Sequence, residues 1–424
     1  MATMANHFDT LETRDPAVRE ADLFRCLPAQ IAHAIANAPA YQSIFAGVDP
    51  LTVDSRDGLA RLPVTRKSAL LDLQKAARPF GGFAAAGWGA NHHGTRASKV
   101  FASPGPLYEP ETSRADYWRL GRALIAAGFK SGDLVHNTFA YHFTPAGSMV
   151  ESAAASIGCT VFPAGTGQTE MQVQAIAELR PDGYAGTPSF LKIILEKADE
   201  LKADVSSLSK AMVSGEAFPP SLRDALALRG IAAYQAYASA DLGSIAYESE
   251  ARSGLIVDEG VIVEIVRPGT GDPVAAGEVG EVVVTTFNPD YPLIRFGTGD
   301  LSAVIPESLA TPSPCGRTNV RLKGWLGRAD QTTKVKGLFV HPSQVAEILS
   351  RHPSIARARL MVDNPESTDR MTLHCELREG AGELPDTLAD SIRDITKLRG
   401  EVMLRDSLSL PNDGKVIDDI RQYK

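Results

Sequence analysis

Four short stretches of the 424-residue chain combine residue types suited to handling a nucleotide. In QAYASADLG, Tyr237 and Asp241 end an apolar, strand-like run, the place where open α/β sheets bind ligands. A purine ring and a metal-bound phosphate would use that aromatic face and that carboxylate; a core tyrosine and a helix N-cap aspartate would show the same spacing. RFGTGDLS places Asp300 after a Gly-Thr-Gly turn, where a carboxylate can accept both hydroxyls of a ribose or simply form the turn. GRADQTTKVKG carries Arg328, suited to oxygen-rich ligands, and read alone is a basic exposed segment. LPNDGKVIDDI sets Lys415 after Pro411, Asn412, Asp413 and Gly414, a cation on a mobile turn or a solvated tail lysine.

A fifth stretch, FASPGPLYEP from Phe101 to Pro110, precedes a helical pattern: Ser113 and Asp116 give a start signal, Tyr117, Leu120 and Leu124 one apolar face, and Gly128 a stop. A phosphate loop belongs at such a place, because helix N-termini present free N–H groups to anions. Other chemistries are poorly served. There is no HExxH, and His92-His93 lies in a Gly/Ala-rich loop without a neighbouring cysteine or carboxylate. His142, in FAYHFTPAG, lies just beyond a strand-like run and is a candidate base.

The elements that would position these residues alternate. Short apolar runs at 134–139, 159–165, 182–188, 210–215 and 231–239 are separated by helical patterns at 147–157, 170–179, 189–201 and 221–228. That rhythm predicts an α/β fold with a doubly wound, mostly parallel sheet. LIVDEGVIVEIVRP and GEVGEVVVTTF then predict an antiparallel β appendage. Past Gly327 the pattern is strand, helix, two strands, helix, strand, a small α+β domain. We therefore expect a large N-terminal domain over 1–326 and a C-terminal lid over 327–424.

The composition, 44% apolar and 22% charged with a net charge of −8 and no long charge runs, offers nothing to nucleic acid or an anionic membrane. Four scattered cysteines without a CxxC pair suit reduced thiols, and no run of 18 apolar residues is present, so a cytoplasmic, unanchored protein is expected.

Taken in order, IANAPAYQSIF with LARLPVTRKSAL, GTGQTEMQVQAI, SGEAFP, YASAD, IRFGTGD, GRADQTTKVKG and LPNDGKV resemble the phenylacetate–CoA ligase family of adenylate-forming enzymes. The resemblance implies a two-step reaction: a carboxylic acid reacts with ATP to give acyl-AMP and pyrophosphate, and a thiol of CoA or of a carrier protein then takes the acyl group. It implies Mg²⁺, and it makes a homodimer a common arrangement. By motif, Tyr237 would stack on adenine, Gly215 and Glu216 would border it, and Asp300 and Arg328 would hold the ribose. Asp241 would stand in for the family's glutamate near Mg²⁺, Asp330 would be the hinge, and Lys415 the adenylation lysine. Tyr141, His142, Phe143, Ala146 and Gly147 match the acyl-pocket region, which points to an aromatic acid.

Two departures stand out. The family often has a zinc site built from a Cys and a His after the tyrosine motif and a CxCGR pair; here YESEARSGLIVDE has neither and SPCGR leaves only Cys315, so no zinc is expected. ASPGPLYEP matches a family loop of the type ASSGTTGKP. It keeps Ser103, Gly105 and Pro110 but loses its other hydroxyls, and Glu109 stands where the family has lysine. Pro104 and Pro106 also lack the N–H. Reversing a unit charge at about 6 Å with an effective dielectric of roughly 20 swings about 5 kcal/mol, more than millimolar ATP binding is worth. A charged, loop-borne Glu109 is therefore expected to put ATP use in doubt. That leaves room for an ATP-independent thioester hydrolase or acyltransferase using Glu109 or His142 as base, or for a non-catalytic homologue.

Overall fold

The computed structural model describes residues 7–421 apart from 91, 93, 104–105, 217, 330–332, 336–337, 341, 366–368, 379, 382, 384, 408, 412 and 414. It divides into two compact units. The first comprises Met1–Glu264, Val283–Thr298 and Val304–Trp325; the second comprises Ile265–Val282, Gly299–Ala303 and Leu326–Lys424. The second unit thus takes two segments from the antiparallel appendage that sequence order alone assigns to the N-terminal domain. Strand pairing follows hydrogen-bonding register rather than chain order.

The first unit opens with helix α1 (Pro16–Asn37), started by Pro16 at its first turn and by the Asp15 carboxylate, which accepts from the Ala17 and Val18 amides. After α2 (Pro39–Ile44) and α3 (Arg56–Ala60), the two-residue strand β1 (Thr65–Arg66) runs directly into α4 (Lys67–Ala76). The central sheet follows. Strands β4 (Leu134–Asn137), β5 (Thr160–Pro163), β6 (Gly183–Gly186), β7 (Lys210–Val213) and β8 (Ala232–Ser239) pair in parallel in the order β8-β7-β6-β4-β5. Antiparallel β9 (Gly243–Tyr247), β10 (Leu255–Val257) and β14 (Arg321–Leu322) extend the β8 edge. The connecting helices α6 (Ala146–Ser156), α7 (Thr169–Leu179), α8 (Pro188–Leu201) and α9 (Pro220–Leu228) fall where the apolar spacing places them.

Side-chain alternation along the strands shows that both faces are covered. Ala185 and Met212 pack in one core with Leu124, Met149 and Val150, whereas their strand neighbours Tyr184, Ala211 and Val213 pack in another with Ile176, Leu191 and Ile194. The sheet is doubly wound. Its close approaches are tight at Gly186: a Cβ there would lie 2.0 Å from Thr138 Oγ1 and 2.3 Å from the Tyr184 hydroxyl, which are hydrogen-bonded to each other at 2.7 Å. Gly186→Ala should therefore lower unfolding free energy by about 2–3 kcal/mol in urea titrations, the usual cost of overpacking; an unchanged midpoint would contradict this packing.

The helix expected from Ser113 is shorter. Asp116 and Arg119 adopt left-handed backbone conformations (φ 44° and 62°), and α5 spans only Gly121–Ala126, with the Gly121 amide donating to the Asp116 carboxylate. A left-handed residue ends the regular N–H ladder, so the S-x-x-D pattern marks a turn here and not a helix start. The segment before it is likewise no free loop. β2 (Ala97–Ser103) and β3 (Leu107–Thr112) form an antiparallel hairpin with Phe101 opposite Glu109 and Ser103 opposite Leu107.

The appendage contains β11 (Val261–Val266), β12 (Gly280–Thr286) and β13 (Phe296–Ser302), in the order β13-β12-β11, with β1 parallel to β13 through Thr65 opposite Phe296. Within the second unit, β13 also pairs antiparallel with β15 (Gly327–Arg328). β16 (Thr333–Val335) and β17 (Leu338–Val340) form a hairpin. A four-stranded sheet, β20 (Glu401–Leu404), β19 (Arg370–Leu377), β18 (Ile355–Asp363) and β21 (Ile417–Asp419), shares a core with α10 (Pro342–Arg351) and α11 (Leu388–Thr396) through Ile348, Leu360, Leu373 and Ile392. No helix of the described residues is long and apolar enough to cross a membrane.

Candidate active site

The carboxyl ends of the parallel strands assemble the candidate site of the first unit. Tyr237 lies on β8 and its hydroxyl donates to Thr298 Oγ1 at 3.3 Å. Ser214 follows β7, its hydroxyl donating to the Ala236 carbonyl at 2.7 Å, and Gly215 turns the chain with φ 87°. Glu216 is exposed, and its carboxylate accepts from the Ser189 amide at 2.7 Å. Asp241 lies in the turn between β8 and β9, so it caps no helix. It is buried, and its Oδ2 accepts a 2.5 Å hydrogen bond from Lys67 Nζ. Its Oδ1 has no hydrogen-bond partner among the described residues. A buried hard oxygen without a donor fits a divalent cation such as Mg²⁺.

An apolar cavity of about 160 Å³ opens beside these groups. Leu120, Phe139, Ala146, Met149 and Val150 form much of its wall, and Ser103, Thr144, Ser214, Gly215 and Ser239 are its polar or backbone lining. Of the residues matched to the acyl pocket, Ala146 lines this cavity. Gly147 is buried behind Tyr141, whose hydroxyl accepts from Asn137 Nδ2 at 2.8 Å. Burial raises the Tyr141 phenol to about 12. His142 and Phe143 are exposed, their rings meeting edge to face at 6.4 Å.

Glu109 is where the structure departs most from expectation. It is not on a solvent-facing loop but on β3, fully buried, with Oε1 accepting from the Ser103 hydroxyl at 2.7 Å. Oε2 has no partner among the described residues. Burial, with the nearby negative charge of Asp241, pushes this carboxyl up to about 8, against the Ser103 hydrogen bond and the Lys67 ammonium. A carboxyl pushed toward its neutral form loses the repulsive half of the roughly 5 kcal/mol electrostatic objection to a bound phosphate; the half that reflects the missing cation stays. The hairpin is also clamped. The Gln74 side chain bonds both the N–H and the carbonyl of Tyr108. Glu111, on the same face of β3 as Glu109, takes Ser148 Oγ at 2.8 Å, Trp118 Nε1 at 2.6 Å and Lys99 Nζ at 2.7 Å.

Lys67 is the site residue that sequence reasoning missed. A signal existed: it is the first residue of α4, and a cation there faces the positive end of the helix dipole unless an anion offsets it. In the second unit, Asp300 and Arg328 sit opposite each other on β13 and β15, Arg328 Nη1 donating to Asp300 Oδ1 at 3.1 Å. Gly299 (φ 76°) leaves room for that guanidinium, since a Cβ would meet Arg328 Nη2 at 2.9 Å. Lys415 precedes β21, with its Nζ donating to Asp418 Oδ1 at 3.1 Å. Gly105, Asp330 and His93 lie outside the described residues. Among the described residues Cys315 meets two hydroxyls and Arg317: its Sγ is 3.2 Å from Ser249 Oγ and 3.2 Å from Ser313 Oγ, and Arg317 also hydrogen-bonds the thiol, a donor set that does not fit zinc.

A family model described as AMP-binding enzyme matches residues 114–288. Phenylacetate-coenzyme A ligase of Aromatoleum evansii is 30% identical over 369 residues, 83% of this chain and 80% of that protein. The protein of the same name from Escherichia coli (strain K12) is 28% identical over 435 residues, 96% of this chain and 95% of that protein. Among solved structures, an open conformation of 2-hydroxyisobutyryl-CoA ligase in complex with 2-HIB-AMP and CoA superposes with a TM-score of 0.70 at 23% identity, over 95% of this chain and 91% of that chain, and so shares its fold.

Proposed function

The chain belongs to the phenylacetate–CoA ligase family of adenylate-forming enzymes, and from that premise we propose that it activates an aromatic carboxylic acid as acyl-AMP and transfers the acyl group to CoA. The observation that carries the choice of acid is the cavity. Its volume of about 160 Å³ matches the roughly 150 Å³ apolar space that accommodates one benzene ring, and its lining is mostly apolar.

In the first step the ionised carboxylate attacks the α-phosphorus of ATP and the bond to pyrophosphate breaks. In the second the CoA sulfur attacks the acyl carbon and AMP leaves. By motif, Tyr237 would stack on adenine, with Gly215 and Glu216 bordering it; by motif too, the Asp300–Arg328 pair of the second unit would hold the ribose hydroxyls. Asp241 would hold Mg²⁺, which would supply charge neutralisation on the phosphates. Lys415 would stabilise the charge that builds as carboxylate and phosphate approach. Cavity walls would exclude water from the acyl group, and Ser103 is among the residues that line it. This reading is zinc-free, supported by the hydroxyl surroundings of Cys315.

The test is product analysis with ATP, CoA and a graded acid panel. Single-ring acids of phenylacetate size should give AMP and the acyl-CoA at least tenfold more efficiently than dodecanoate, since each misplaced methylene costs about 1 kcal/mol or more. Equal efficiency for the long-chain acid would overturn the aromatic assignment.

A further inference from the structure

The hairpin that corresponds to the phosphate loop carries no cation on Glu109, and its Ser103 hydroxyl is committed to that acid. Within the first unit, Lys67 brings an ammonium to the same neighbourhood from a different direction. Its Nζ is 2.5 Å from Asp241 Oδ2, and its side chain keeps 27% exposure while that of Asp241 has none. Lys67 also opens a ten-residue helix whose N-terminus has no side-chain cap, so the ammonium is carried by the residue at the positive end of that helix. Two further buried oxygens complete the setting. Asp241 Oδ1 and Glu109 Oε2 are both buried and without hydrogen-bond partners among the described residues, the condition under which a bound group, ion or water is expected beside them.

We propose that Lys67 supplies the positive charge to the β- and γ-phosphates of ATP, in place of the lysine that the hairpin lacks. The inference rests on the ligase reading above. Asp241 is a positioning residue in it: the ion pair fixes the four-carbon stem of Lys67 before nucleotide arrives, so little side-chain freedom is lost on binding. The ammonium makes no use of the adenine or ribose contacts, so its contribution should separate ATP and pyrophosphate from AMP.

Calorimetric titration of ATP, pyrophosphate and AMP, each with Mg²⁺, into wild type, Lys67→Met and Lys67→Arg tests this. Lys67→Met should weaken ATP and pyrophosphate about 30-fold, the loss expected for one charge-assisted hydrogen bond, and AMP less than threefold. Lys67→Arg, which keeps the charge, should restore most of that loss. Equal weakening of ATP and AMP, or ATP affinity unchanged in Lys67→Met, would overturn the proposal. If Lys67→Met does not fold, acetic anhydride labelling of the wild type decides: ATP, but not AMP, should protect Lys67, and equal labelling under both would count against the role. Wild type that binds no ATP would sink the ligase reading itself, an outcome distinct from a wild type that binds ATP without Lys67.

Discussion

Between about pH 5 and pH 8, Glu109→Gln is expected to gain roughly 3 kcal/mol of stability relative to the wild type. The sign follows from proton binding. Glu109 titrates near 4.5 when unfolded and at about 8 when folded. In that interval the folded state therefore holds a proton that the unfolded state has released. Stability is fully present below the unfolded value and falls as pH rises through the folded one, by at most about 1.4 kcal/mol per pH unit. Glutamine keeps the Ser103 contact and has no proton to lose, so the slope vanishes. Glu109 and Asp241 share one electrostatic environment, and the loss is a property of the pair. Urea unfolding of both proteins at half-unit pH steps measures the difference. A gap that stays constant with pH would mean that Glu109 is ionised throughout, and would restore the case against phosphate binding.

Glu12→Ala should be more damaging, lowering unfolding free energy by about 3–5 kcal/mol at neutral pH. Glu12 and Arg317 are both fully buried. The Glu12 carboxylate accepts from Arg317 Nε at 2.6 Å, the Tyr247 hydroxyl at 2.7 Å and the Phe8 amide at 2.5 Å. Its removal leaves a guanidinium in the interior without its anion, the condition under which breaking a buried pair is costly. Glu12→Gln, which keeps the shape and some hydrogen bonds, should lose nearly as much because the charge is gone. Chemical denaturation checks both, and a loss under 1 kcal/mol in Glu12→Ala would show that Arg317 is otherwise compensated. The pair ties the N-terminal segment to the Ser313–Arg317 turn.

Much of the fold was legible because burial on both faces of a parallel sheet leaves a strong mark. The apolar runs ending near Phe139, Gly165, Pro188 and Gly215 contain β4 to β7, and the helical spacing between them gives α6 to α9 to within a residue or two. Two kinds of feature were not legible. Local chemistry at 113–120 reads equally as a helix start or a turn, and the left-handed backbone of Asp116 and Arg119 is set by the tertiary packing of Tyr117 and Trp118, which no local signal carries. The β17 and β21 strands are only three residues long, too short for alternation to register. In the site, Tyr237 and Asp241 stood out because they close an apolar, strand-like run, and Gly215 through its match to the family motif. Lys67 did not, since its partner lies 174 positions away. Glu109 was identified as unusual but assigned the wrong setting: LYEPET reads as a polar loop, while in the structure its acids at 109 and 111 face inward and find Ser103, Ser148 and Trp118. A buried acid changes its charge state before it changes its neighbours, and that consequence requires the fold.

The most direct test of the whole account is carboxylate-dependent exchange of labelled pyrophosphate into ATP at pH 7, with the wild-type protein, Mg²⁺ and phenylacetate-sized aromatic acids. Exchange that requires the acid, and falls at least a hundredfold in Lys415→Ala as expected for losing electrostatic stabilisation of about 3 kcal/mol, is the predicted result. Folded wild-type protein that gives no exchange across aromatic and aliphatic acids would contradict it.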